Sequence, residues 1–168
     1  MFFAALMLSA SLLSHLPKLP HSIDLPFTTP VQKVGDWRLK VRQDRFSGEL
    51  SCEVRGDSAR VRRHMVIFNL GAAYNTTDAD FRVNDGPAFK VRDIRMDNLR
   101  DGFSGRAGPI ENPSNGQVGL PITLVAGSDH VLIRPQRGKP AYRRFETSGL
   151  TEILAKAQAA GCGPAQIL

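Results

Sequence analysis

The sequence contains no HxH pair, no HExxH and no Cys/His cluster, so no zinc site is expected from it. It also has no G-x-S-x-G elbow, no Walker loop and no dinucleotide fingerprint. That removes the local signatures of serine hydrolases, nucleotidases and nicotinamide enzymes. Past Leu13 no uncharged apolar run approaches the roughly 18 residues of a membrane-spanning helix. Cysteine is scarce, with two residues and no CxxC pair. What is present is ordinary for a globular protein: 168 residues, 42% hydrophobic and 23% charged. That balance excludes wholesale disorder, and the length suits one domain with a real core.

The N-terminus carries the clearest signal. Phe2 to Leu13 (FFAALMLSASLL) is uncharged, apolar and the length of a secretory h-region. Leu8-Ser9-Ala10 is a small-residue cleavage candidate. No Lys or Arg precedes the run, so a buried N-terminal helix is the alternative. Pro17, Pro20, Pro26 and Pro30 then mark an extended stretch. The expected organisation is a signal-like segment at 1–21, a Pro-rich linker at 22–33 and one β-rich domain at 34–168. The expected location is periplasmic or secreted, and the chain is not expected to be integral to a membrane once the signal is removed.

An even pair of cysteines in an exported chain predicts one disulfide, Cys52–Cys162. A loop of about 110 residues would stabilise the fold by roughly 4–5 kcal/mol on chain-entropy grounds. Two separate buried thiols are the alternative.

Lys and Arg total 22 against 16 acids, for a net charge of +6. Such a surface attracts polyanions. For an exported chain the expected partner is an anionic envelope component, a glycan or lipid headgroup, or another envelope protein, in preference to nucleic acid. A solvated basic surface with no partner is the alternative.

Periodicity gives the architecture. Trp37, Leu39 and Val41 alternate with Arg38, Lys40 and Arg42, as in a half-buried strand with a basic outer row. Asp44-Arg45-Phe46-Ser47-Gly48 reads as a turn, and residues 49–54 as the returning strand with Cys52. Arg60 to Leu70 reads as a strand buried on both faces, because Met65, Val66, Ile67 and Phe68 are consecutive. Asn84-Asp85-Gly86 marks a second hairpin, and Pro87 keeps its second arm at an edge. Residues 97–117 are glycine-rich and loop-like. Further strands are expected at 118–124, 130–134 and 141–147. Leu150, Ile153, Leu154 and Ala157 then share one helix face, with Ser148 as N-cap and Gly161 as stop. The predicted fold is mainly β, an antiparallel sandwich or open barrel with one C-terminal helix. A mixed α+β fold with more helix is the alternative.

Three short motifs carry a family resemblance: Gly35-Asp36-Trp37-Arg38, Asp44-Arg45-Phe46-Ser47-Gly48 before the Cys52 strand, and Ala159-Ala160-Gly161-Cys162 ending the helix. In them the chain resembles small exported proteins of alphaproteobacteria. More distantly it is similar to the invasion-associated locus B family of periplasmic or outer-envelope, β-rich, disulfide-bearing proteins. That family often carries a cysteine soon after the Gly-Asp-Trp. Val41 stands there, so no second disulfide is implied, and no catalytic residue carries over.

The chemistry expected is therefore binding, with no catalytic residue and no cofactor or metal. Candidate anion-binding residues are Arg38, Lys40 and Arg42, with Arg143 and Arg144 from Tyr142-Arg143-Arg144-Phe145. Asp78, Asp80, Asn84 and Asp85 lack EF-hand spacing and read as turn residues. An enzyme with a site dispersed around His64, His130 and loop 97–117 is the alternative function, and a nucleic-acid-binding module the second alternative. Asp101-Gly102-Phe103-Ser104-Gly105 echoes residues 44–48, which reads as coincidence or shared turn chemistry, with a duplicated hairpin as the alternative.

Overall fold

A computed structural model describes residues 30–94, 116–136 and 141–167. The chain folds into two antiparallel sheets and a C-terminal helix. The six-stranded sheet has the order β1 (Gln32–Val34), β2 (Trp37–Gln43), β3 (Leu50–Arg55), β4 (Ala59–Arg62), β5 (Met65–Asn69) and β8 (Gln117–Pro121). The four-stranded sheet runs β10 (Arg143–Glu146), β9 (His130–Arg134), β6 (Asp80–Val83), β7 (Phe89–Lys90). One helical turn, α1 (Ile122–Val125), follows β8, and α2 (Leu150–Ala159) follows β10. β1 begins inside the stretch read as linker.

The first strand pair behaves as its alternation demands. Trp37, Leu39 and Val41 are buried, and Arg38 and Arg42 are exposed. Cys52 and Val54 of β3 face the same core. Helix α2 packs on this inner face over β1, β2 and β3, burying Leu150, Ile153 and Ala157. Toward β5 the inner face meets the second sheet, where the Phe68 and Phe145 rings lie 5.0 Å apart.

Two expectations are corrected. Arg60–Leu70 is not one strand. It is the β4–β5 hairpin, closed by Arg63 and His64 with Arg62 opposite Met65. Arg63 adopts φ 55°, a left-handed conformation that the sequence does not announce with Gly or Asn. The buried run itself is real, since Val66, Ile67 and Phe68 are all buried. The helix N-cap is Gly149 at φ 83°, not Ser148, and no side chain caps the first turn. A Cβ at Gly149 would stand 3.0–3.1 Å from Val34, so the helix enters close against β1.

The C-terminal end of α2 closes as expected at Gly161, with φ 87°. Gly161 donates to the Gln158 carbonyl and Cys162 to that of Ala157, both at 2.9 Å, the Schellman pattern. This turn delivers Cys162 to Cys52, and the disulfide forms at a Cα separation of 6.1 Å. The tail continues through a 3-10 turn (Pro164–Gln166) to Ile167, which is buried. Ile167 bridges to Cys52 in parallel and accepts the Arg63 N–H at 3.0 Å. β3 and β4 pair only at Arg55–Arg60, and Ile167 fills the slot where they part.

Candidate anion-binding face

The outer face of the six-stranded sheet gathers cations that lie far apart in sequence. Antiparallel register sets Lys33 opposite Arg38, Arg38 opposite Arg55, and Arg55 opposite Arg60. Four basic side chains thus form one row across β1 to β4, at a strand spacing of about 4.8 Å. Like charges directly opposed in a sheet are destabilising. Two charges about 6 Å apart cost roughly 0.7 kcal/mol even in water. Asp57 and Glu53 offset part of that cost at Arg38 and Arg55, while Lys33 and Arg60 have no ion pair among the described residues.

A cleft of about 380 Å³ opens beside this row. Lys40, Arg42, Arg55, Arg60 and Arg62 line it, together with Ser51. Glu53 is the acid among the lining residues, and it pairs with Arg55 and, at 3.8 Å, with Arg42. Arg38 meets Asp57 at 3.6 Å, both well exposed, so the pair is weak. Lys33, Lys40, Arg60 and Arg62 have no ion pair among the described residues.

Of the residues expected to bind anions, the structure therefore brings Arg38, Lys40 and Arg42 together on one face. Arg143 and Arg144 lie on the other sheet and are occupied. Arg143 donates to the Leu70 carbonyl at 2.7 Å and sits 5.5 Å from the Phe145 ring centre. Arg144 pairs with Glu146 at 2.6 Å, which raises the guanidinium pKa and holds the Glu146 carboxyl below its usual value. Sequence reading missed Lys33, Arg55, Arg60 and Arg62. The alternation Arg60-Val61-Arg62 was the available signal, masked by the apolar run after it.

The acidic turn is also occupied internally. Asp80 accepts from Lys90 at 2.8 Å and from Arg134 Nε at 3.0 Å. The Lys90 hydrogen bond, then that of Arg134, holds its carboxyl below the usual value. Asp78 meets Arg92 at 3.4 Å. Asn84, at φ 50°, accepts the N–H groups of Asp129 and His130 at 2.9 and 3.2 Å, locking the β6–β7 turn to β9.

The two histidines considered for a dispersed site belong to different sheets. His64 sits in the β4–β5 turn, and its carbonyl accepts the Ile122 N–H at 2.9 Å. His130 opens β9 opposite Glu146, buried, with Nδ1 lacking a partner among the described residues. Most of loop 97–117, including the second Asp-x-Phe-Ser-Gly, lies outside the described residues, as does the N-terminal segment.

The class these observations define is a two-sheet antiparallel β domain with a disulfide-anchored C-terminal helix and a basic sheet face. Compared with family models, curated proteins and solved structures, the chain matches none.

Proposed function

We propose that this chain is an exported, non-enzymatic domain that binds an anionic component of the cell envelope on the outer face of its first sheet. The cross-strand row Lys33–Arg38–Arg55–Arg60 carries the reading. Opposed cations are costly, and at Lys33 and Arg60 no ion pair among the described residues offsets the repulsion. An anion spanning the strands would offset the repulsion and displace counterions. The Cys52–Cys162 bond favours an oxidising compartment. The resemblance of the short motifs to exported envelope proteins points the same way.

The test is retention on a heparin column of the oxidised chain and of a Lys40→Gln/Arg60→Gln/Arg62→Gln variant. The triple variant elutes at clearly lower salt if the face binds. Equal elution removes the face from the reading. A strong preference for single-stranded oligonucleotide over heparin at matched salt would favour a nucleic-acid module instead.

A further inference from the structure

One end of the six-stranded sheet carries a different surface from its face. β2 and β4 run the same way, so the β2–β3 tip and the β4–β5 turn emerge at the same end. β8 ends there too, with Pro121 opposite Met65, and α1 follows at once. Strand spacing places these three protrusions along an edge of roughly 20 Å.

Phe46 crowns the β2–β3 tip and is fully exposed. A single exposed apolar residue is ordinary. This one is held out by a well-bonded turn. Asp44 Oδ1 accepts the N–H groups of Phe46 and Ser47, both at 2.8 Å, and the Ser47 hydroxyl at 3.2 Å. Gly48 donates to the Asp44 carbonyl at 3.0 Å, and Gln43 Nε2 to the Gly48 carbonyl at 3.1 Å. The ring is thus presented to solvent at little further cost in chain entropy. Leu124 on α1, 40% exposed, is a second apolar protrusion at this end. Between and beside them Arg42, Arg45, Arg62 and Arg63 are exposed, with His64. Among the described residues the acids near these cations include Asp44, whose carboxylate the turn N–H groups already occupy, Glu49, and Glu53, which meets Arg42 at 3.8 Å.

Apolar tips rimmed by arginines fit a bilayer surface. Rings and aliphatic side chains enter the boundary between headgroups and acyl chains, and guanidinium groups meet lipid phosphates. A soluble polyanion would use the cations and leave Phe46 in water. We infer that this end of the sheet docks on an anionic lipid surface, with Phe46 inserting and Arg42, Arg45, Arg62 and Arg63 on the headgroups. The inference rests on the reading above only in naming an anionic envelope component; it shares Arg42 and Arg62 with the cleft and adds Phe46, Arg45 and Arg63 at the end of the sheet.

The experiment is co-sedimentation of the oxidised chain with vesicles of phosphatidylcholine alone and of phosphatidylcholine mixed with phosphatidylglycerol. Binding is expected to the mixed vesicles and to weaken with added salt. Phe46→Ala, at a position with no packing to lose, should reduce partitioning on the order of tenfold and leave heparin retention unchanged. In Phe46→Trp, the emission of the introduced indole should shift to the blue on binding and be quenched by brominated acyl chains. Equal partitioning of Phe46→Ala, no preference for phosphatidylglycerol, or unchanged emission from the Phe46→Trp variant would each overturn the inference. Loss of vesicle binding in the Lys40/Arg60/Arg62 triple without any Phe46 dependence would keep the face as the anion site and overturn docking by the end.

Discussion

The two sheets differ in how far their cations are paired. In the second sheet most cations have partners: Lys90 and Arg134 meet Asp80, Arg144 meets Glu146, and Arg143 reaches the Leu70 carbonyl, while Arg82 of β6 is exposed with no ion pair among the described residues. In the first, Lys33, Lys40, Arg60 and Arg62 have no ion pair among the described residues. The first sheet is held by other means, namely an apolar inner face, a helix, a disulfide and the Ile167 tail. On its outer face, among the described residues, Lys33, Lys40, Arg60 and Arg62 hold no ion pair that folding would lose, and they are open to contact.

The largest test of that division is the disulfide. Reducing it should cost about 4–5 kcal/mol and release α2 first, seen as early loss of amide protection over 150–159 in hydrogen exchange. If reduction instead loosens the second sheet first, the division fails. Trp37 follows, fully buried on the inner face. Trp37→Ala should cost roughly 3–5 kcal/mol in denaturant unfolding. Trp37→Phe should cost far less, because the indole N–H is buried with no partner among the described residues and its removal relieves a penalty.

Third comes Asp80, the clasp of the second sheet. Asp80→Asn should cost about 1 kcal/mol near neutral pH. The carboxyl is held below its ordinary 3.8, so the folded state binds its proton later than the unfolded chain does. Its contribution is full above pH 3.8 and fades as pH falls through the lowered folded value. Stability of Asp80→Asn against that of the parent should converge across that window; parallel curves would show the clasp to be idle. The smallest effect is expected from the Lys40→Gln/Arg60→Gln/Arg62→Gln variant. Its melting temperature should stay level or rise slightly, since like charges are relieved and no ion pair is lost. A marked fall would make these cations structural.

Local pattern was enough wherever one residue type answered one environment. Alternation located β2, Asn84-Asp85-Gly86 located the β6–β7 turn, and the apolar face of α2 required the packing that brings Cys162 to Cys52. Features set by register were invisible. Lys33, Arg38, Arg55 and Arg60 become neighbours only through four paired strands, and no spacing in the chain reveals that row. The Arg63-His64 turn escaped because tertiary pairing imposes φ 55° on an arginine. Ser148 is the better cap by preference, yet close approach to Val34 hands the position to Gly149.

The Ile167 plug has a kinetic side. β3 is formed by residues near the start of the domain, but its neighbouring slot is filled, and its cysteine bonded, by residues 110 or more positions later. Contacts of such range form slowly, since loop closure precedes their reward. A chain still lacking residues 162–167 holds a sheet with a gap and an unpaired thiol, and cannot reach the native state. Completion of the first sheet thus waits on the last residues of the domain.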